Sequence, residues 1–337
     1  MKHMLVTGAG GYIGSILTRM LLDAGDAVTA VDQFYFGRHT LPPDGERLRV
    51  LRIDIRHLEM HHFLGIDAVV DLAALSNDPS GELDPDWTWQ VNHAGRVRVA
   101  QLAKQAGVRR YLLPSSCSVY GFQDGVLDER SPVNPLTTYA KANYQAERDA
   151  LALAEGRFCV VVVRQATVYG LSPRMRFDLA INGMVRGLFK TRKIPLLRDG
   201  TQWRPFVHVK DTARAMMLLL GAPPDATTGQ VFNIGADEQN YQLLPLARLV
   251  AEAVDLPSDN EWYGQPDHRS YRVSFQKVRE LMGFRPLWTP REGVREIFDA
   301  LRQGAVDPDD PRTITVGWYK RQVDAKIVAQ SQGVLMS

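Results

Sequence analysis

The sequence predicts an α/β protein: a doubly wound parallel sheet with a smaller C-terminal α/β lobe that binds substrate. Three observations carry this. Short apolar runs alternate with longer amphipathic segments through the first half of the chain, as in strand–helix–strand units covering a parallel sheet on both faces. The first run leads straight into a glycine-rich stretch, TGAGGYIG at residues 7–14, which opens an amphipathic segment. After Gly170 the rhythm breaks into turn clusters, LSPRMR, RDGTQWRP and APPDATTG, between short elements.

Taken in order, strands are expected at Met4–Thr7, Ala27–Asp32, Leu48–Ile53, Ala68–Leu72, Tyr111–Ser115 and Cys159–Val163. Helices are expected near Ile13–Ala24, Trp87–Ala106 and Thr138–Ala154, with Gly25 and Gly107 closing two of them in left-handed conformation. Residues 1–170 read as a Rossmann-type domain and residues 171–304 as the substrate lobe, interwoven with it across a soft boundary. Residues 305–337 follow an acidic, proline-flanked turn, DPDDP, and read as an extension with no assigned role.

Composition narrows the function. Hydrophobic residues at 45% and charged residues at 23% suit an ordinary globular enzyme. Lys plus Arg number 40 against 38 Asp plus Glu, so there is no footprint of nucleic-acid binding, and a small-molecule partner is expected. The two cysteines, Cys117 and Cys159, form no CxxC pair and no cluster of metal-ligand spacing, so no metal and a reducing, cytoplasmic setting are expected. The opening MKHMLVTGAG has no room for a signal-peptide core, and no apolar stretch approaches 18 residues, so neither secretion nor a membrane is expected.

In TGAGGYIG, Gly8 permits the tight turn, Gly11 lets the backbone approach phosphates and Gly14 lets the helix lie close on the strand. Such a turn can want glycine for steric reasons alone. Its place between strand and helix, with amides at the helix N-terminus facing an anion, favours a pyrophosphate. Asp32 ends the second strand, where a carboxylate accepts from adenosine ribose hydroxyls and repels a 2′-phosphate. NAD is therefore preferred. Arg38, six residues on, is the one feature that keeps NADP as the alternative.

From here the chain resembles the extended short-chain dehydrogenase/reductase family, in its group of NAD-dependent nucleotide-sugar epimerases and dehydratases. The resemblance rests on TGAGGYIG, Asp32, Asp54–Ile55, DLAA at 71–74, VNHAG at 91–95, SSCSVYG at 115–121, Tyr139, RQATVYG at 164–170 and QWRPFVHVKD at 202–211. It reaches to about residue 304. DLAA stands where many members have HLAA. The resemblance implies that Gly8, Gly11, Tyr12, Ile13, Gly14, Asp32, Asp54, Ile55, Leu72, Ala73, Ala74, Asn92 and Tyr139 hold NAD, with Asp54 at the adenine amino group. It also implies a homodimer joined through the helices at Trp87–Ala106 and Thr138–Ala154, and a place in carbohydrate biosynthesis.

Oxidising a sugar carbinol needs a base for the hydroxyl proton, and a tyrosine near pKa 10 must be acidified to serve. By resemblance Tyr139 is that base and Ser116 its hydrogen-bond partner. The family pattern is Tyr-x-x-x-Lys, whereas the chain reads YAKAN, with Asn143 at i+4 and Lys141 at i+2. Position i+2 points to the opposite helix face, so Lys141 is no substitute. Asn143 is expected at a nicotinamide ribose hydroxyl, and activity is expected to be slow or shifted to higher pH. Family dehydratases carry an Asp–Glu pair where this chain has Cys117 and Ser118. A cysteine of the 3,5-epimerase type would stand at Ser118. Cys117 is kept as a candidate one position off, although an unreactive strand cysteine is the commoner state.

On the substrate side, Arg204 and Arg269 resemble family residues that grip a nucleotide diphosphate, for which a planar guanidinium is suited. Ser76, Ser118, Thr167, Arg174 and Asn182 join them as substrate candidates, with Arg176 as a pocket residue. The expected activity is an NAD-dependent nucleotide-sugar 4-epimerase, an isomerase acting by transient C4 oxidation. A 4-reductase, a dehydratase of the same family or a catalytically impaired binder are the alternatives.

Overall fold

The computed structural model describes residues 1–265 and 269–331, with side chains through 324. Residues 332–337 of the C-terminal extension lie outside the described residues. Seven parallel strands form the main sheet. From one edge they run Gln230–Ile234, Cys159–Gln165, Arg110–Ser116, Ala68–Asp71, His3–Thr7, Ala27–Asp32 and Leu48–Arg52. The order reverses between His3–Thr7 and Ala68–Asp71, and the crevice at such a reversal, beyond the carboxyl ends of the strands, is where doubly wound sheets bind ligands.

Strands such as CVVVVRQ, buried at every position, need cover on both faces and have it. One face packs Leu17 and Leu21 of the Gly14–Asp23 helix together with Met216 and Leu219 of the Val209–Gly221 helix. The other packs Val99, Ala100 and Ala103 with Ala146 and Ala150 of the Thr138–Leu151 helix. Each large aliphatic side chain fully buried in this way contributes roughly 1.5–3 kcal/mol.

A third cluster forms the second lobe. It joins Ile181, Val185 and Leu188 to Leu246 and Val250, and to Val294 and Ile297. Two small sheets serve it: Thr167–Tyr169 with Trp203–His208 and Asn240–Gln242, and Ile194–Leu197 with Asn260–Tyr263. The chain crosses between lobes, because strand Gln230–Ile234 and helix Val209–Gly221 rejoin the first sheet. Among the described residues no helix is long and apolar enough to cross a membrane.

The helix expected at Trp87–Ala106 differs in its middle. It runs from Pro85–Trp89 through a widened π-type stretch, Gln90–Gly95, into Arg96–Gln105. The widened turn aims Asn92 inward, where its Oδ1 accepts from Leu75 N (2.8 Å) and its Nδ2 donates to Leu75 O (3.0 Å). Inserted turns of this kind recur beside functional sites.

Candidate functional site

The reversal in strand order opens into a cavity of about 760 Å³ between the lobes. Its floor is the glycine loop. Gly8 has φ +63°, and a Cβ there would sit 2.6 Å from the Leu72 carbonyl carbon; at Gly14 a Cβ would fall 2.1 Å from Gly8 O. These positions admit only glycine, because the loop packs directly against the backbone of Leu72–Ala73 and against its own turn. Along the wall follow Tyr12, Ile13, Asp32, Asp54, Ile55, Leu72, Ala73 and Ala74, with Gly8, Gly11 and Gly14 beneath. The cradle and the terminal carboxylate fit an extended dinucleotide.

Asp32 accepts from Gly10 N (2.9 Å) and Phe34 N (2.6 Å), contacts that oppose the upward push of burial on its carboxyl. Asp54 is forked by Arg56, with Nη2–Oδ2 at 2.8 Å; burial raises its pKa, but the guanidinium and the Arg56 amide hold it below the usual range. Arg38 is turned away to Asp44 (2.9 Å) and to the Leu41 and Pro42 carbonyls, so it does not stand beside Asp32 to receive a 2′-phosphate.

At the other end, Ser116 closes a strand and Tyr139 begins a helix. Ser116 Oγ accepts from Ser118 N (3.1 Å), which leaves its proton to donate to the Tyr139 hydroxyl. Thr137 caps the helix, accepting from Ala140 N (3.2 Å), and its hydroxyl donates to Asp78 Oδ1 (2.5 Å). Tyr139 is half-buried on the cavity wall. Burial and the Asp78 carboxylate raise its pKa, against the pull of Arg96, Arg176 and the Ser116 hydrogen bond.

Ser76, Ser118, Thr167, Arg174, Arg204 and Arg269 all reach the cavity. Arg204 Nη1 donates to Trp203 O (2.8 Å) and lies near the face of Tyr271, with Cζ 5.3 Å from the ring centre. Arg269 is paired with Asp78. Arg174 covers the Phe36 ring at 3.6 Å; burial and the neighbouring Arg176 depress its pKa to about 10. Arg176 donates to Ser76 Oγ (3.0 Å) and to both Asp178 oxygens.

Four expected site residues do not reach this wall. Asn92 is spent on the Leu75 backbone. Asn182, fully buried, accepts from Gly170 N (3.0 Å) and donates to Tyr12 Oη (3.0 Å) and Arg176 O (2.8 Å), so it shapes the wall without facing it. Asn143 turns back to Tyr139 O (2.9 Å) and accepts from Arg96. Cys117 points into the core and donates to Arg164 O (3.4 Å); burial pushes its thiol well up, away from thiolate. In each case buried backbone or side-chain groups in reach claimed the polar atoms first.

The structure also adds residues. Tyr35, Phe36 and Trp87 line the Asp32 end together with Tyr319, which the C-terminal extension supplies. Tyr319 sits 5.3 Å from Phe36 and 5.9 Å from Trp87, ring centre to ring centre. Trp318 Nε1 donates to Tyr35 O (2.6 Å), and Thr315 Oγ1 meets both Arg174 and Asp178. The aromatic pair after Asp32 is a signal that the sequence carries; nothing near Tyr319 points to it.

A family model described as the NAD dependent epimerase/dehydratase family matches residues 4–235. The dTDP-glucose 4,6-dehydratase of Streptomyces griseus is 30% identical over 95% of this chain and 94% of its own length. The UDP-glucose 4-epimerase of Mycolicibacterium smegmatis is 28% identical over 88% of this chain and 98% of its own. UDP-glucuronic acid decarboxylases of Arabidopsis thaliana align at similar identity. Among solved structures, MoeE5 in complex with UDP-glucuronic acid and NAD superposes with a TM-score of 0.80 at 31% identity, covering 90% of this chain and 99% of that one.

Proposed function

Because the chain belongs to the NAD-dependent epimerase/dehydratase family, we propose that it is a nucleotide-sugar 4-epimerase. NAD, when bound, supplies reversible oxidation at the sugar C4. The glycine loop, Asp32 and the Leu72–Ala74 wall hold and orient it. Tyr139 Oη takes the proton of the C4 hydroxyl and returns it, with Ser116 donating to the same oxygen. Arg204 and Arg269 grip the nucleotide diphosphate, as planar guanidinium groups suit.

One observation carries the choice of epimerisation over dehydration. Among the described residues, the carboxylates on the cavity wall are Asp32, Asp54, Asp78 and Asp178. Asp32 and Asp54 stand at the dinucleotide end. Asp178 is forked by Arg176, and Asp78 is held by Thr137 and Arg269. Beside Ser116 the next two residues are Cys117 and Ser118, neither of them an acid. Dehydration needs a second acid–base group at the sugar, whereas epimerisation needs only Tyr139 and its partner.

The test is product identity. Protein incubated with NAD and UDP-glucuronic acid or UDP-glucose, then with other nucleotide sugars, is expected to yield the C4 epimer at unchanged mass by NMR. Loss of water or carbon dioxide from every accepted substrate overturns the reading in favour of a dehydratase or decarboxylase.

A further inference from the structure

Resting on that reading, Tyr139 must shed its proton, and its surroundings work against this. Burial and Asp78 favour the neutral phenol. A phenol serves as a base near neutral pH only if positive charge stands close. The position one helical turn on is the uncharged Asn143, and Lys141 is exposed on the far face. The cation lies one layer deeper. Arg96, at 2% exposure, donates Nη1 to Asn143 Oδ1 (2.8 Å) and Nη2 to the Asp71 and Pro114 carbonyls. Asn143 Nδ2 in turn donates to Tyr139 O (2.9 Å), so a continuous chain of hydrogen bonds joins the guanidinium to the turn that carries the base.

Among the described residues, the charged groups that act most on Tyr139 are Asp78, from the short Asp78–Gly81 helix and itself paired with Arg269, Arg176, from the segment before Ala180–Thr191, and Arg96. Arg176 is forked on Asp178 at 2.7 Å, which offsets most of its charge. Among the described residues the carboxylate paired with Arg96 is Asp71, at 3.9 Å and without a hydrogen bond, because Asp71 is taken by Thr7 and by Tyr111 (2.6 Å). Among the described residues its Nε has no hydrogen-bond partner. A guanidinium buried this deeply, held by neutral oxygens and one carboxylate at 3.9 Å, reaches its neighbours with little screening from water. The sites that depart from the family pattern, Asp71 in DLAA and Asn143 in YAKAN, are the two side chains on either side of it.

We propose that Arg96 is the positioning residue of this acid/base: through Asn143 it fixes the turn bearing Tyr139, and its permanent charge favours the phenolate. An arginine keeps that charge at every working pH.

The test uses NAD-loaded protein and two readouts, the pH–rate profile and an ultraviolet tyrosine titration taken as the difference between each protein and its Tyr139→Phe counterpart. Arg96→Met is expected to move the acid limb and the titration upward by roughly one pH unit or more, with KM for the sugar nucleotide little changed. Arg96→Lys is expected to recover part of the shift. Asn143→Lys alone sets two cations in contact and is expected to lower thermal stability; combined with Arg96→Met it is expected to return the titration to the wild-type position or below. An unshifted titration in Arg96→Met overturns the proposal. Where that variant does not fold, Asn143→Lys decides: a single variant that stays stable and acidifies Tyr139 as fully as the double one also overturns it. The titration needs no substrate, so a product other than the C4 epimer defeats the epimerase reading without touching this one.

Discussion

The two ends of the cavity solve the same problem, holding one long ligand, with different materials. At the Tyr139 end the working groups stand on regular elements: Ser116 on a strand terminus, Tyr139 in the first turn of a capped helix, and Arg96 on the helix beside it. At the Asp32 end the wall is aromatic, and Tyr35, Phe36, Trp87 and Tyr319 come from three separated stretches of chain. One end depends on a few polar atoms in fixed register. The other depends on area and shape, which many atoms share. Single substitutions should therefore act steeply at the first end, mostly on rate, and gently at the second, mostly on affinity.

The steepest expected effect is at Tyr139. Tyr139→Phe removes the group that takes the C4 proton, and kcat should fall about 10²- to 10⁴-fold, as deletion of a general acid/base does. NAD and sugar-nucleotide affinity, measured by calorimetry, should stay within a few-fold. A variant that keeps its rate sinks the acid/base assignment, and one that loses affinity instead erases the contrast between the ends.

Asp32 belongs to the gentler end by position but acts through charge, so it sharpens the comparison. Its carboxylate already accepts from Gly10 N and Phe34 N, which aims it along the floor of the cavity. Hydrogen bonds to a charged group contribute about 1.5–3 kcal/mol, so Asp32→Ala should weaken NAD about 10- to 100-fold. Preference over NADP should shrink as well, since the carboxylate that repels a 2′-phosphate is gone. Tighter binding of NADP than NAD by the unaltered protein contradicts this account of Asp32.

The same division governs what can be read from the chain. Strands buried on both faces write continuous apolar runs, and the glycine loop, Asp32, Ser116 and Tyr139 sit at fixed offsets from them, so these are legible. Asn92, Asn143 and Asn182 read as ligand-facing, yet their amides are met by groups of the protein itself. A buried amide must satisfy donors and an acceptor, and whether a ligand or the Leu75 backbone does so depends on the turn geometry around it, which no spacing rule encodes. Arg96 reads as an ordinary helix arginine, because its burial follows from the widened turn just before it. Tyr319 is out of reach for another reason: Trp318 beside it bonds to a residue 283 positions away.

Tyr319 gives the smallest and most discriminating test of the contrast. Its ring, 5% exposed, makes edge contacts with Tyr35, Phe36 and Trp87, and its helix is tied down by Thr315 and Trp318. An aromatic pair contributes about 0.5–1.5 kcal/mol beyond buried area. Tyr319→Ala leaves Thr315 and Trp318 in place, so the helix should remain docked while the wall loses one panel. If the aromatic end acts through shape, the NAD dissociation constant should rise about 2- to 12-fold. In saturating NAD, kcat should stay close to that of the unaltered protein, because Ser116, Tyr139 and Arg96 lie at the opposite end. Tyr319→Phe should restore affinity, since the edge contacts are made by the ring and not by the hydroxyl. A fall in kcat equal to the loss of affinity would mean that the two ends are coupled, and the extension would then belong to the catalytic machinery rather than to the wall.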